Sequence, residues 1–183
     1  MPEREKAFAR RIATERGLAE ALGNDATVVV LAASRGKKPE WNDWARSRDR
    51  LAVPLLTPEC LEPIPLVGRV LGATVSDLPW LKRQETLIMT ETTGKMSHLV
   101  LVEDASTTVT SSGAKAVPDQ DFVADHGVRS VMAMGGRYLN GASLVLVLFT
   151  TESLSEEQAT KFPTIVNTIK TATMKTVMAT KML

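Results

Sequence analysis

The chain has 183 residues, a formal net charge of +1, and 44% hydrophobic against 23% charged residues. That length supports a single domain with its own core, and the composition is that of a folded chain rather than a disordered one. A charge so near zero supplies no bulk attraction to nucleic acid or to acidic lipid, so neither is expected as a partner.

In chain order, residues 3–22 read as a helix, with Phe8, Ile12, Ala19 and Leu22 at helical spacing and Gly23-Asn24 as its stop. Residues 26–33 read as a strand rich in β-branched side chains. Its successive apolar positions predict cover on both faces, as in a central strand. Residues 34–50 are polar and broken by Gly36 and Pro39, which predicts a loop. A short strand follows at 51–56, demoted to an edge or strand end by Pro54. Thr57-Pro58-Glu59 has the order of an N-cap, a first helical position and a first-turn acid, and predicts a helix running towards Leu71, interrupted by Pro63 and Pro65. A second short helix is expected at 78–87 and a strand at 97–103.

Residues 104–120 are poor in large apolar side chains and rich in Ser, Thr, Gly and Ala, which predicts a long loop of functional or mobile character. Two apolar runs, 128–138 and 143–151, meet through Asn140-Gly141, the signature of a β-hairpin with a type I′ turn. From Ser155 the chain closes in a helix. Ser155 with Gln158 has the capping-box pattern, and Pro163 is expected to kink that helix or delay its start.

The order predicts an α+β sandwich: one central, mostly antiparallel sheet of about five or six strands, with the N- and C-terminal helices on one face. Short helices and loops would cover the other. One domain is expected over 1–183, divided into an N-terminal helix (1–23), the sheet and pocket-forming segments (25–151) and a C-terminal helix (155–183).

Two stretches carry a family resemblance. Phe122-Val123-Ala124-Asp125-His126-Gly127-Val128-Arg129-Ser130-Val131, followed by the hairpin and the Ser-Glu-Glu helix, resembles the closing half of a GAF domain. Pro39-Glu40-Trp41-Asn42-Asp43-Trp44-Ala45-Arg46-Ser47-Arg48, followed by Ala52-Val53-Pro54-Leu55, resembles a GAF-like module of bacterial sensor proteins. The likeness spans about residues 25–175. It implies a GAF-like fold and a sensory, signal-transducing role, either as an excised domain or as a stand-alone sensor acting through a signalling partner protein.

Several residue sets are candidate sites. Trp41, Asn42, Asp43, Arg46 and Arg48 in one polar loop suit a clamp for an anionic group beside a flat wall, or else a self-paired loop. Trp80, Leu87, Met89, Phe122, Met132 and Met134 suit the lining of a ligand pocket between the sheet and residues 57–126, or ordinary core. Arg129 and His98 join this ligand-binding set. His98 and His126 are the only histidines. Two histidines make a thin metal or haem site, since catalytic zinc sites take three protein ligands.

Cys60 is the one cysteine, so an intramolecular disulfide and a cysteine-based zinc site are excluded. It also lacks the following histidine of bilin-binding relatives. The start, Met1 to Lys6, is charged rather than apolar, and no apolar run approaches the ~20 residues of a membrane span. A cytoplasmic setting is expected.

The closing helix carries Lys161, Lys170, Lys175 and Lys181. Its Met174, Val177, Met178 and Met182 exceed the apolar surface one face needs, which suggests packing against the first helix, against a second copy in a homodimer, or both. The leading expectation is a non-catalytic domain that senses a small organic ligand and signals through its terminal helices. The alternatives are a dimeric interaction scaffold with a filled pocket, and a small enzyme using Cys60 or an Asp–His pair.

Overall fold

In the computed structural model the described residues are 3–23, 26–46, 51–74, 80, 89–91, 98–110 and 112–179, with the backbone alone at 45, 89–91 and 98. The expected helix at 78–87, Leu87, Arg48 and Met182 therefore lie outside the described residues. The chain divides into two compact units, Met1–Leu61 with Met182–Leu183, and Glu62–Lys181.

In the first unit, helix α1 (Glu3–Glu15) stops earlier than the sequence suggests. Gly17 takes φ +69°, a conformation open to glycine at no steric cost, and the Leu18 N–H turns back to the Ala13 carbonyl at 2.7 Å. The buried stripe of α1 is Glu5, Ala9 and Ala13, one turn apart, and not the expected Phe8 and Ile12, which are half-buried. This stripe packs on β2 (Ala52–Pro54). Strand β1 (Val28–Val30) pairs antiparallel with β2, Val29 opposite Val53.

The burial of β1 differs from the expectation: it is half-buried throughout and, among the described residues, pairs on one side only, so it is not a central strand. All of β2 is buried because α1 packs on it, although it too is an edge of this two-stranded ladder. Pro54 sits at the end of the ladder opposite Val28, where its missing N–H is tolerated. The predicted helix from Thr57 is only a 3-10 turn over Pro58–Leu61. The true helix, α2 (Pro65–Thr74), begins in the second unit with Pro65 in its first turn.

The second unit holds an antiparallel four-stranded sheet in the order β3 (Met89–Glu91), β4 (His98–Val102), β5 (Ser130–Arg137), β6 (Ser143–Thr150). The strands of the chain thus fall, among the described residues, into a two-stranded and a four-stranded ladder rather than one continuous sheet. Register is regular: Val100 faces Ala133, and Ala133 faces Val147.

Strand alternation sorts the side chains into two cores. Val100, Val102, Val131, Ala133, Val145 and Val147 meet α2 and α3 (Gln120–His126) through Leu66, Val70 and Val123. Leu99, Leu101, Met132, Met134, Leu144, Leu146 and Leu148 meet α4 (Glu156–Ala159) and α5 (Pro163–Ala179) through Ala159, Phe162 and Val166. Both halves of the Ser155/Gln158 capping box are made, and Pro163 opens α5 instead of kinking it.

The β5–β6 hairpin forms where expected, with a different turn. Asn140 does not take a positive φ; Gly141 does, at +90°. The Tyr138 N–H reaches the Ala142 carbonyl at 2.7 Å and the Gly141 N–H reaches the Tyr138 carbonyl at 3.1 Å. This is a three-residue loop with a left-handed glycine, not a two-residue type I′ turn.

Candidate functional site

The face of the sheet beneath α2 is lined by small side chains, and Gly135 sets how closely that helix approaches. A Cβ at Gly135 would fall 2.5 Å from Val70 Cγ1 and 2.5 Å from the Leu144 carbonyl oxygen. Leu66 and Val70 pin α2 against the strands. Beside them on the same helix stands Arg69, only 7% exposed. Its Nη1 is buried, with no hydrogen-bond partner among the described residues, and burial pushes the guanidinium below its ordinary pKa.

The 104–120 segment covers part of the same face. Its composition predicts a long loop of functional or mobile character, and it folds as a pinned strap. Ala105, Ala116 and Val117 belong to the core, and Val109 bridges Lys115 antiparallel. The Asp104 carboxylate accepts from the Ser106 hydroxyl at 2.6 Å, the Ser106 N–H at 2.9 Å and the Thr107 N–H at 3.3 Å. Those bonds, with the Ser106 hydroxyl foremost, lower its pKa from 3.8 to about 2. Gln120 donates to the Ala105 and Val117 carbonyls at 3.1 and 2.7 Å, and Asp119 caps α3 by accepting the Phe122 N–H at 2.9 Å.

The segment that resembles the GAF closing half has a structural account. Gly127 ends α3 at φ +59°, its N–H reaching the Ala124 and Val123 carbonyls. Ser130 is fully buried; its hydroxyl donates to the Glu103 carbonyl at 2.8 Å and accepts the Leu154 N–H at 3.0 Å. One side chain therefore ties the start of β5 to both flanking segments. Arg129 bonds through its backbone to Thr150 and Ala105 and leaves its side chain exposed.

The expected pocket set divides. Met132 and Met134 are 1% and 0% exposed and sit in the core under α4 and α5. Phe122 packs against the opposite core, edge-on to His126 at 4.9 Å and to Phe149 at 5.4 Å. Alternation along β5 places Met132 and Met134 on the face away from α2 and α3, so they line no pocket there with Phe122. Trp80 is half-buried; Met89 and His98 are placed by backbone only, opposite Val100 and Gly135.

The polar loop of the first unit satisfies itself. Asn42 Oδ1 accepts the Gly36 N–H at 3.0 Å, and Asn42 Nδ2 donates to the Lys38 carbonyl at 3.3 Å. Asp43 and Arg46 form an exposed ion pair at 3.3 Å. Trp41 covers Gly36 so closely that a Cβ there would fall 2.5 Å from Cε3, and Lys38 Nζ stands 5.4 Å from its ring centroid. Trp41, Asn42, Asp43 and Arg46 are thus brought together in one locally bonded turn.

Cys60 is 1% exposed, with Sγ 3.9 Å from the Thr57 hydroxyl, and packs as a small apolar residue. A concavity of about 490 Å³ in this unit is lined by Glu15, Arg16, Leu18, Thr57 and Glu59. The Thr57 hydroxyl foremost, and Arg16 more weakly, hold the Glu59 carboxyl below the usual carboxylate range. Among the described residues no three His, Cys, Asp or Glu side chains gather as a metal site, and no helix is long and apolar enough to cross a membrane. Comparison with protein-family models, with curated proteins and with solved structures gave no match.

Proposed function

We propose that this chain is a GAF-like, non-catalytic regulatory domain that senses a small molecule on the α2 side of its four-stranded sheet. The supporting observation is the unequal construction of the two faces. Beneath α4 and α5 the sheet is filled by Leu and Met side chains. Beneath α2 it carries Val, Ala and Gly135, with a charged side chain buried on the covering helix. A mostly apolar wall with a small number of placed polar groups is the usual make-up of a ligand site, and Arg69 is such a group here. Signalling would pass to a second copy through α5, whose Met174 and Met178, four residues apart, stay exposed.

Native mass spectrometry of the freshly purified chain tests this reading. The expected result is a dimer carrying added mass that is lost on denaturation. A dimer of bare polypeptide mass supports instead a second reading, the interaction scaffold, which the sealed Met132/Met134 core favours.

A further inference from the structure

Arg69 is the one charge in the otherwise uncharged α2 sequence Pro65–Thr74, and it is buried. An arginine keeps its charge at any physiological pH and presents five donors in a rigid fork. A buried cation without a partner is among the most costly arrangements in a protein interior. Another buried cation among the described residues of this unit, Lys170, shows how the cost is ordinarily met. Its Nζ stands 5.7 Å from the Tyr138 ring centroid, and the Tyr138 hydroxyl is held by Thr173 at 2.7 Å. Nothing comparable faces Arg69 Nη1 among the described residues. The helix cannot roll to expose the guanidinium, because Val70 fills the notch that Gly135 leaves and Leu66 is locked in the core.

We propose that Arg69 anchors an oxyanion site: the ligand on the α2 face carries a carboxylate or phosphate group that takes the guanidinium fork in a two-point hydrogen bond. This rests on the sensing reading above and names the chemistry of its ligand. Both anion classes fit the fork, and the experiment separates them.

The test is thermal unfolding and calorimetric titration of the full chain with inorganic phosphate and, separately, with succinate, against chloride at equal ionic strength. Arg69→Met and Arg69→Lys are measured beside it. One anion is expected to raise the wild-type Tm by about 3–6 °C at ten times its Kd. Arg69→Met should show no anion-dependent rise. Arg69→Lys, which keeps the charge and loses the fork, should bind at least about tenfold more weakly; this comparison decides the matter should the Met variant fail to fold. An equal rise in Arg69→Met, unchanged affinity in Arg69→Lys, or no wild-type response beyond chloride overturns the oxyanion site. A neutral ligand found by native mass spectrometry would then leave the sensing reading standing, whereas a bare polypeptide mass would remove both.

Discussion

The two faces of the four-stranded sheet draw their described side chains from the same three strands, β4, β5 and β6, yet they are built to different standards. On one, Met132, Met134, Leu99 and Leu101 interlock with Leu144, Leu146, Leu148, Phe162 and Val166, large side chains against large. On the other, Val and Ala side chains and Gly135 let α2 come close, a strap folds Ala105 and Ala116 inwards, and Arg69 Nη1 is buried without a hydrogen-bond partner among the described residues. A sheet with one finished face and one frugal face can keep its shape while the frugal side changes occupant. The first face is filled by large side chains, and the second holds its covering helix close through small ones.

The largest expected effect tests the finished face. Met134→Ala removes a fully buried side chain from a close-packed core and should cost about 2–5 kcal/mol by urea unfolding. Val131→Ala on the opposite face should cost about 2 kcal/mol, because it removes two methyl groups rather than a long side chain. Equal losses would break the contrast.

A smaller effect is expected where α2 meets the sheet. In Gly135→Ala the new Cβ meets a side chain, Val70, and a backbone carbonyl, Leu144. The overpacking should cost about 1–3 kcal/mol. Adding Val70→Ala should relieve the helix contact but not the Leu144 oxygen, so the rescue should be partial in the same urea assay. Full rescue would show that the strand backbone yields freely and that the close fit lies with α2 alone.

Much of this architecture is legible in the chain, and the limits have physical causes. The hairpin, the capping box and the helix after Pro163 follow from local chemistry, which is why Asn140-Gly141 and Ser155/Gln158 mark them correctly. The turn type depends on which residue bears the positive φ. The dipeptide alone does not show that Leu139 joins the loop and that Gly141 takes that conformation by itself. The faces of β4 to β6 are hidden because both sides of these strands are apolar. Alternation separates Met132 from Val131 but does not tell which side is sealed. Phe122, Met132 and Met134 share a large apolar character in the sequence, and the fold sets Phe122 on the face opposite the two methionines.

Arg69 carries a signal in the sequence, a lone arginine in ten otherwise uncharged residues. The Trp41–Arg46 loop had the composition of a clamp, but local hydrogen bonds used its polar atoms first.

Acid should separate the two faces more finely still. The strap on the frugal face depends on an ionised carboxylate, since Asp104 accepts from the Ser106 hydroxyl and from the Ser106 and Thr107 N–H groups. Its pKa is about 2 in the folded chain against an ordinary 3.8. A carboxylate with a depressed folded pKa adds stability above the unfolded value, and loses it as pH falls through the folded one. The strap should therefore be fully held above pH 3.8 and released progressively as pH falls to about 2. Below that, both states are protonated and nothing further is lost. Hydrogen exchange followed through this window should show Ser106, Thr107 and Ala116 amides losing protection while Leu146 and Leu148 on β6 keep theirs. In Asp104→Asn the acid-dependent part should vanish, with the strap amides already less protected at neutral pH. Simultaneous loss on both faces would mean that the strap and the sealed core unfold as one unit, and the independence of the two faces would fail.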